Sequence, residues 1–169
     1  MQRESDDRGQ VVPVRLTVNG KAYEVEIEPR TTLLEMLRNT MDIKSVHRSC
    51  REGECGVCTV LLNGEPVCSC VVLAVQADGA EVTTVEGLLK DGELHPLMKS
   101  FLDNHGVQCG FCTPGLLMTV YYLVNGSTSL TEGEIRKGIE GNLCRCTGYV
   151  NIVKSVEGAM KEKASGNWW

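Results

Sequence analysis

The chain has 169 residues, with 17 lysines and arginines against 22 aspartates and glutamates and a formal net charge of −5. The length fits one ordinary domain or two small ones, and the acidic balance argues against nucleic acid as a partner. Neither the opening MQRESDDRGQ nor any later stretch offers a signal peptide's apolar core or the ~20 apolar residues of a membrane span, so we expect a cytoplasmic protein.

The first half of the chain predicts a small sheet. After a flexible tail over residues 1–12, VRLTV at 14–18 and YEVEIE at 23–28 alternate around an Asn-Gly turn, which is typical of a β-hairpin. Thr32 and Glu35 form a capping-box pattern for a short helix, LLEMLRN. A second Asn-Gly hairpin, VCTVLLN to EPVCSCVVL, and a strand EVTTVEG follow. We therefore predict an α+β domain over residues 13–88.

The second half predicts four helices. Apolar residues recur at helical spacing after residue 94, and Thr113 and Pro114 are predicted to cap and open an apolar helix, PGLLMTVYYLV. Thr131 and Glu134 predict a third helix through another capping box, and a last amphipathic helix begins near Ile152. The prediction is a compact four-helix bundle over residues 89–162. The tail over 163–169, with its terminal Trp-Trp pair, is expected to fray rather than dock on a partner.

Eight of the nine cysteines fall into two sets of four, one in each predicted domain. The first set is separated by four, two and eleven residues, and its C-x4-C-x2-C run is the plant-type pattern for a 2Fe-2S cluster. The second set combines C-x2-C with C-x-C. The first set is Cys50, Cys55, Cys58 and Cys70, and the second is Cys109, Cys112, Cys144 and Cys146.

Thiolate sets of this kind bind soft metals, and iron and zinc both remain open at this point. Zinc in a tetrahedral four-cysteine site is the main alternative, and it is stronger for the second set than for the glycine-rich first loop. Disulfides fit poorly, because the cysteine count is odd and the expected compartment is reducing. A Rieske centre is excluded for these sets because neither contains a histidine. The three isolated histidines, His47, His95 and His105, are expected to be surface or cap residues.

Three motifs carry a family resemblance: CREGECGVCTVLLNG at 50–64, QCGFCTPG at 108–115 and GNLCRCTGY at 141–149. With them the chain resembles the small iron–sulfur subunit of the molybdenum hydroxylases, the family of xanthine dehydrogenase, aldehyde oxidoreductase and aerobic carbon monoxide dehydrogenase. The resemblance covers residues 13–160. It implies a ferredoxin-like β-grasp domain with an outer 2Fe-2S cluster, followed by a helical domain with an inner one.

The resemblance also implies cofactors and partners outside this chain. A large subunit would hold molybdopterin, in its cytosine dinucleotide form, and a medium subunit would hold FAD, in a heterotrimer or a dimer of heterotrimers. Gln108 and the backbone of Cys146 would hydrogen-bond the pterin. Electrons would pass from molybdenum through the inner and outer clusters to FAD. The substrate pocket would lie in the large subunit, with an aldehyde or an N-heterocycle favoured.

The residues of this chain predict an electron relay without substrate chemistry. The sequence has no nucleophile–base pair and no GxGxxG dinucleotide loop, so catalysis is expected on another polypeptide. A free ferredoxin-type carrier and a zinc-stabilised binding module are the alternatives. The apolar helix near Cys112 favours a committed subunit with a buried interface over a free carrier.

One choice of ligand is left open by the residues alone. Cys68 and Cys70 are predicted on one strand with the same parity, so alternation places both on one face and does not choose between them. The family resemblance favours Cys70 as the ligand.

Overall fold

The structure is a computed structural model that describes residues 9–169, so the tail predicted over 1–12 lies mostly outside the described residues. Five strands precede the main helical part of the chain. The strands are β1 (Val12–Val18), β2 (Lys21–Ile27), β3 (Thr59–Leu62), β4 (Glu65–Cys68) and β5 (Glu81–Thr83). The α-helices are α1 (Leu33–Glu35), α2 (Pro96–Asp103), α3 (Thr113–Asn125), α4 (Glu132–Gly138) and α5 (Val150–Ala164). The mixed α+β class predicted from the sequence is confirmed.

The five strands form one mixed sheet in the order β2-β1-β5-β3-β4. Both predicted hairpins are present, since β1 pairs with β2 and β3 with β4 in antiparallel register across the Asn-Gly turns. β5 joins the two hairpins, parallel to β1 and antiparallel to β3. Alternate residues of β1, Val14, Leu16 and Val18, face a core that α1 also fills. The sheet thus supports the first cysteine loop, which leads directly into β3.

The α1 helix begins at the capping box that the sequence predicts. The Thr32 hydroxyl accepts a 3.2 Å hydrogen bond from the Glu35 N–H, and the Glu35 carboxylate accepts one of 3.1 Å from the Thr32 N–H. The helix then continues as a five-residue π-helical turn, Met36–Thr40. Because Leu33, Leu34, Met36 and Leu37 are all buried, this short segment is held mainly by packing against the sheet.

The strand predicted through Cys70 is shorter than expected, and this corrects the parity argument for the two cysteines. β4 ends at Cys68, and Ser69–Val71 forms a 3-10 turn. The buried Ser69 hydroxyl donates a 2.7 Å hydrogen bond to the Cys58 carbonyl oxygen, which fixes the turn against the first cysteine loop. Cys70 therefore leaves the strand, and strand alternation does not describe where it points.

The four predicted helices of the second half are confirmed as α2 to α5, packed around a second apolar core. The capping box at Thr131 and Glu134 is present, whereas Cys112 rather than Thr113 occupies the N-cap of α3. The apolar face of α3 fills this internal core, with Leu116, Met118 and Val120 nearly inaccessible. Much of its apolar richness is thus explained by the chain's own packing.

The last residues are packed, in contrast to the expected frayed end. The Trp168 indole N–H donates a 2.7 Å hydrogen bond to the Asn125 side chain, and its ring packs edge-on against His95 at 4.4 Å between centroids. His95 is only 1% exposed. Its Nδ1 accepts from the Leu97 N–H and its Nε2 lies 2.7 Å from the Trp169 main-chain oxygen. His95 is therefore the predicted helix cap, but a buried one.

Among residues 9–169, no helix is both long enough and apolar enough to cross a bilayer.

Candidate metal centres

The structure brings the cysteines of each predicted set together around short loops. In the first set, three residues lie on the loop between α1 and β3, and Cys70 reaches them from the 3-10 turn after β4. In the second set, Cys109 and Cys112 lie on the loop before α3, while Cys144 and Cys146 lie on the loop before α5. This placement before the second and fourth helices of the bundle agrees with the prediction from sequence.

Within the first set the thiols interact with their neighbours. Cys50 lies beside Cys55, and Cys58 lies beside both Cys68 and Cys70. Cys70 is also close enough to Cys50 for their charges to interact, so the thiols of the set form one connected group. Cys55, Cys58 and Cys70 are buried, whereas Cys50 is half-buried at the edge.

The thiols of the second set are arranged as two pairs. The Cys109 and Cys146 sulfur atoms lie 3.5 Å apart, and Cys112 hydrogen-bonds with Cys144. Cys109 and Cys146 are exposed, while Cys112 and Cys144 are half-buried. Within residues 9–169 no group of three or more His, Cys, Asp or Glu side chains is gathered as for a metal ion.

Main-chain N–H groups point at the sulfur atoms of the first set. The N–H groups of Glu52 and Cys55 lower the pKa of the Cys50 thiol to about 6. Burial raises the pKa of the Cys70 thiol to about 11, although the Gly53 N–H acts in the opposite direction. Donors aimed at sulfur stabilise a thiolate and any negatively charged centre that it holds. The loop is therefore suited to a bound anionic centre.

The second set has similar donors. A hydrogen bond from the Phe111 N–H lowers the pKa of Cys109. The side chain of Cys146 makes a smaller contribution in the same direction. Burial works to raise the pKa of Cys144, but hydrogen bonds from the Thr147 side chain and main chain leave it lowered. The Thr147 hydroxyl lies 3.2 Å from the Cys144 sulfur. Burial raises the pKa of Cys112 to about 12.

The ninth cysteine, Cys68, lies beside the first set. Its side chain hydrogen-bonds with that of Cys58, which lowers the pKa of Cys68 to about 7 and raises that of Cys58. Its sulfur also lies 3.6 Å from the Gly53 carbonyl oxygen, an acceptor. Cys70 instead receives the Gly53 N–H. The Cys68 sulfur thus faces the carbonyl oxygen of Gly53, whereas the Cys70 sulfur faces its N–H group.

The two cysteine loops are in direct contact. The Leu143 N–H donates a 3.0 Å hydrogen bond to the Cys55 carbonyl oxygen. The Asn142 side chain donates one of 2.9 Å to the Gly56 carbonyl oxygen. On the other side, His47 stacks on Phe111 at 4.9 Å, and its Nδ1 lies 2.7 Å from the Phe111 carbonyl oxygen. The loops are therefore joined at two places.

The face around the second set is open and partly apolar. Gln108 is exposed next to Cys109, and Phe111, Leu143 and Val150 are each about half exposed, at 47%, 55% and 52%. A group bound by Cys109 and Cys146 would be reachable from outside the chain at this face. Sequence reasoning identified Gln108 here but missed Asn142 and Tyr149, whose only signal was their position inside the GNLCRCTGY motif.

Comparisons with known proteins agree with two such centres. Residues 16–88 match the family described as the 2Fe-2S iron-sulfur cluster binding domain, and residues 84–157 match the 2Fe-2S binding domain family. Caffeine dehydrogenase subunit gamma of Pseudomonas sp. strain CBB1 is 47% identical over 147 residues, which cover 85% of this chain and 88% of the relative.

Solved structures agree as well. The crystal structure of quinoline 2-oxidoreductase from Pseudomonas putida 86 matches with a TM-score of 0.89 and 37% identity, covering 94% of this chain and 99% of that one. Aldehyde oxidoreductase from Desulfovibrio desulfuricans ATCC 27774 matches with a TM-score of 0.86 and 34% identity, covering 92% of this chain and 17% of that longer one.

Proposed function

Because the chain belongs to the small iron–sulfur subunits of the molybdenum hydroxylases, we propose that its eight paired cysteines hold the two 2Fe-2S clusters of such a subunit. The chain is an electron-transfer subunit of an oxidoreductase complex. The observation that carries the ligand assignment is the grouping of the thiols: the Cys109 sulfur lies 3.5 Å from that of Cys146 and Cys112 lies beside Cys144, while Cys50 lies beside Cys55 and Cys58 beside Cys70 and Cys68.

The pairs indicate which thiols share an iron atom. A 2Fe-2S cluster has two iron atoms with two protein ligands each, whereas a single zinc ion gathers four ligands around one point. The two pairs of thiols in the second set therefore support a di-iron centre over zinc at that site. The proposed pairs are Cys50 with Cys55, Cys58 with Cys70, Cys109 with Cys146, and Cys112 with Cys144.

Cys70, not Cys68, is proposed as the fourth ligand of the outer cluster. Cys70 contacts Cys58, lies near Cys50, and receives the Gly53 N–H, as a thiolate ligand requires. The Cys68 sulfur instead lies 3.6 Å from the Gly53 carbonyl oxygen, an acceptor that offers no hydrogen bond to a bound thiolate.

Bound clusters of this type supply one-electron redox chemistry. The contribution of this chain is to hold the sulfur ligands and to direct N–H donors at them. The Glu52, Cys55 and Gly53 donors surround the outer site. Such donors favour the more negative, reduced form of a cluster and so raise its potential. Different burial and donors at the two sites would set their potentials apart.

The open face at Cys109 and Cys146 is proposed to meet the catalytic subunit. We propose that Gln108 and the backbone of Cys146 bind the pterin of a molybdopterin cofactor there, in its cytosine dinucleotide form. The exposed side chains of Phe111 and Leu143 would be covered by that subunit. Electrons would pass from this inner site to the outer site and on to an FAD-binding subunit, in a heterotrimer or a dimer of heterotrimers.

The architecture and location complete the proposal. The sheet order and the four later helices support a ferredoxin-like β-grasp over residues 13–88 and a helical bundle over 89–162. The cytoplasmic location inferred from the sequence stays a prediction.

For the substrate, we propose an N-heterocycle, because the names of the caffeine and quinoline enzymes describe compounds of that class; an aldehyde is the second class.

The proposal is tested by purifying the complex through a tag on this chain. We expect a coloured complex with iron and acid-labile sulfide equivalent to two 2Fe-2S clusters per chain, two rhombic EPR signals after reduction, and copurified molybdenum and flavin. Cys50→Ser should remove one EPR signal, and Cys109→Ser should remove the other.

The outcomes separate the alternatives. A colourless protein with zinc in place of iron would overturn the iron–sulfur assignment. A monomer that carries both EPR signals but no partner, molybdenum or flavin would identify a free carrier. If Cys50→Ser and Cys109→Ser removed the same signal, the assignment of ligands to two separate centres would be wrong.

A further inference from the structure

Asn142 is a buried polar residue that lies between the two cysteine loops. It is 3% exposed, and it precedes Cys144 by two positions. Its side-chain nitrogen donates a 2.9 Å hydrogen bond to the Gly56 carbonyl oxygen, a partner 86 positions away in the sequence. The same nitrogen lies 3.5 Å from the Thr59 hydroxyl oxygen. The side chain of one loop thus binds the backbone of the other.

The main chain of Asn142 is fixed to its own loop. The Tyr149 hydroxyl donates a 3.0 Å hydrogen bond to the Asn142 carbonyl oxygen and accepts one of 2.8 Å from the Cys144 N–H. Tyr149 therefore ties Asn142 to a proposed ligand of the inner cluster. Through Gly56, Asn142 also contacts the residue next to Cys55, a proposed ligand of the outer cluster.

The backbone around Gly56 is closely packed. A Cβ atom placed on Gly56 would lie 2.3 Å from the Gly141 carbonyl oxygen and 2.7 Å from the Asn142 side-chain nitrogen. A Cβ atom on Gly115, in α3, would lie 2.3 Å from the Gly56 carbonyl oxygen. Gly56 is therefore held from two sides, and Asn142 supplies the directional contact on one of them.

We propose that Asn142 is a positioning residue that sets the separation and orientation of the two metal centres, and thereby the rate at which one electron moves from one to the other. The inference rests on the proposed function, because it needs a cluster at each site. The contact satisfies a buried amide, and its position also joins the ligand loops of the two different centres. Electron exchange depends steeply on separation, so small displacements of the loops matter.

The test uses the complex purified through a tag on this chain, with Asn142→Asp and Asn142→Ala. Asp has nearly the same shape as Asn but places a second acceptor against the Gly56 carbonyl oxygen, and Ala removes the amide. We expect both clusters to be retained, with changed magnetic splitting between their EPR signals when both are reduced. We also expect electron exchange between them, followed by rapid-freeze EPR, to fall by about tenfold, which is the scale of changes to groups that orient the ligands of a metal.

Asn104→Asp is the matched control. Asn104 is half-buried at the end of α2, where its side-chain nitrogen donates a 2.9 Å hydrogen bond to the Ser100 carbonyl oxygen. The Asn104→Asp substitution makes the same chemical change as Asn142→Asp, but at a side chain that bonds within α2 and not to a cysteine loop. The control should keep the native splitting and exchange rate.

The results separate failure of the proposed function from failure of the inference about Asn142. Absence of both signals from the unmodified complex would overturn the proposed function. Two native signals with unchanged splitting and exchange in both Asn142 variants would overturn this inference alone. Loss of a cluster's iron from either variant would also overturn it, because Asn142 would then be needed to build a site and not to place it.

Discussion

The Cys55 carbonyl oxygen accepts a 3.0 Å hydrogen bond from the Leu143 N–H. This bond joins a residue of the first cysteine set to the residue directly before Cys144 of the second. It involves main-chain atoms only, so no side-chain substitution removes it directly. The two centres are thus attached to one continuous frame, and changes at this contact should affect both.

Gly56→Ala should disrupt this frame. Gly56 has a φ of +65°, and its added Cβ would overlap the Gly141 carbonyl oxygen. We expect a loss of about 2–4 kcal/mol in the free energy of unfolding, from left-handed backbone strain plus overpacking. Chemical denaturation followed by circular dichroism measures it.

Gly64→Ala is the control for the backbone strain alone. Gly64 has a φ of +86°, but no atom lies within 4 Å of its added Cβ. We expect a loss of about 1–2 kcal/mol. Equal losses in the two variants would show that the contact between the loops is looser than described.

Cys68→Ser and Cys70→Ser should differ in their effect on the outer cluster. Cys68→Ser should keep both clusters, because the proposed fourth ligand is Cys70 and the Cys68 sulfur lies against the Gly53 carbonyl oxygen. Cys70→Ser should lose the outer cluster and keep the inner one. Iron analysis and EPR of reduced samples measure both. The reverse pattern would show that Cys68 is the ligand.

Stability should decrease as the pH falls through the titration range of His95. Burial lowers the pKa of His95 below its ordinary value, and the hydrogen bond to the Trp169 main-chain oxygen opposes this only in part. Between the ordinary value of about 6.5 and the lowered one, the unfolded chain binds more protons than the folded chain. The unfolding free energy must therefore fall as acid is added in this range.

His95→Asn removes the titrating group but keeps a residue type that caps helices well. Its unfolding free energy should depend less on pH between about 7 and 5 than that of the unmodified chain. His105→Asn, at an exposed position, should keep the original slope. The idea fails if His95→Asn and His105→Asn give the same slope in urea titrations at stepped pH.

Lys163 should stabilise the end of α3. Its ammonium group donates hydrogen bonds to the carbonyl oxygens of Val124, Asn125 and Ser127, at 2.6, 3.1 and 2.9 Å. These oxygens lie at the negative end of the helix dipole. We expect Lys163→Met to cost about 1–2 kcal/mol in the free energy of unfolding.

Lys161→Met provides the comparison, since Lys161 is exposed on α5, the helix that also carries Lys163. It should change the free energy of unfolding by less than about 0.5 kcal/mol. Urea denaturation of both variants in one buffer measures the difference. A cost at Lys161 equal to that at Lys163 would assign the effect to net charge and not to the capped carbonyls.

The sequence by itself determined the local features of this protein. The Asn-Gly turns, the capping boxes at Thr32 and Thr131, and the spacing of the cysteines each depend on chemistry within a few residues. The cysteine motifs also indicated the family, because a metal centre constrains its ligand loops closely.

Only the tertiary structure decided what depends on distant residues. It placed Cys70 on a turn beyond β4, brought the Cys146 sulfur close to that of Cys109, and brought Asn142 against Gly56. It also packed Trp168 on His95. Such contacts follow from how two cores pack together, and no pattern of period or spacing within one segment contains that information.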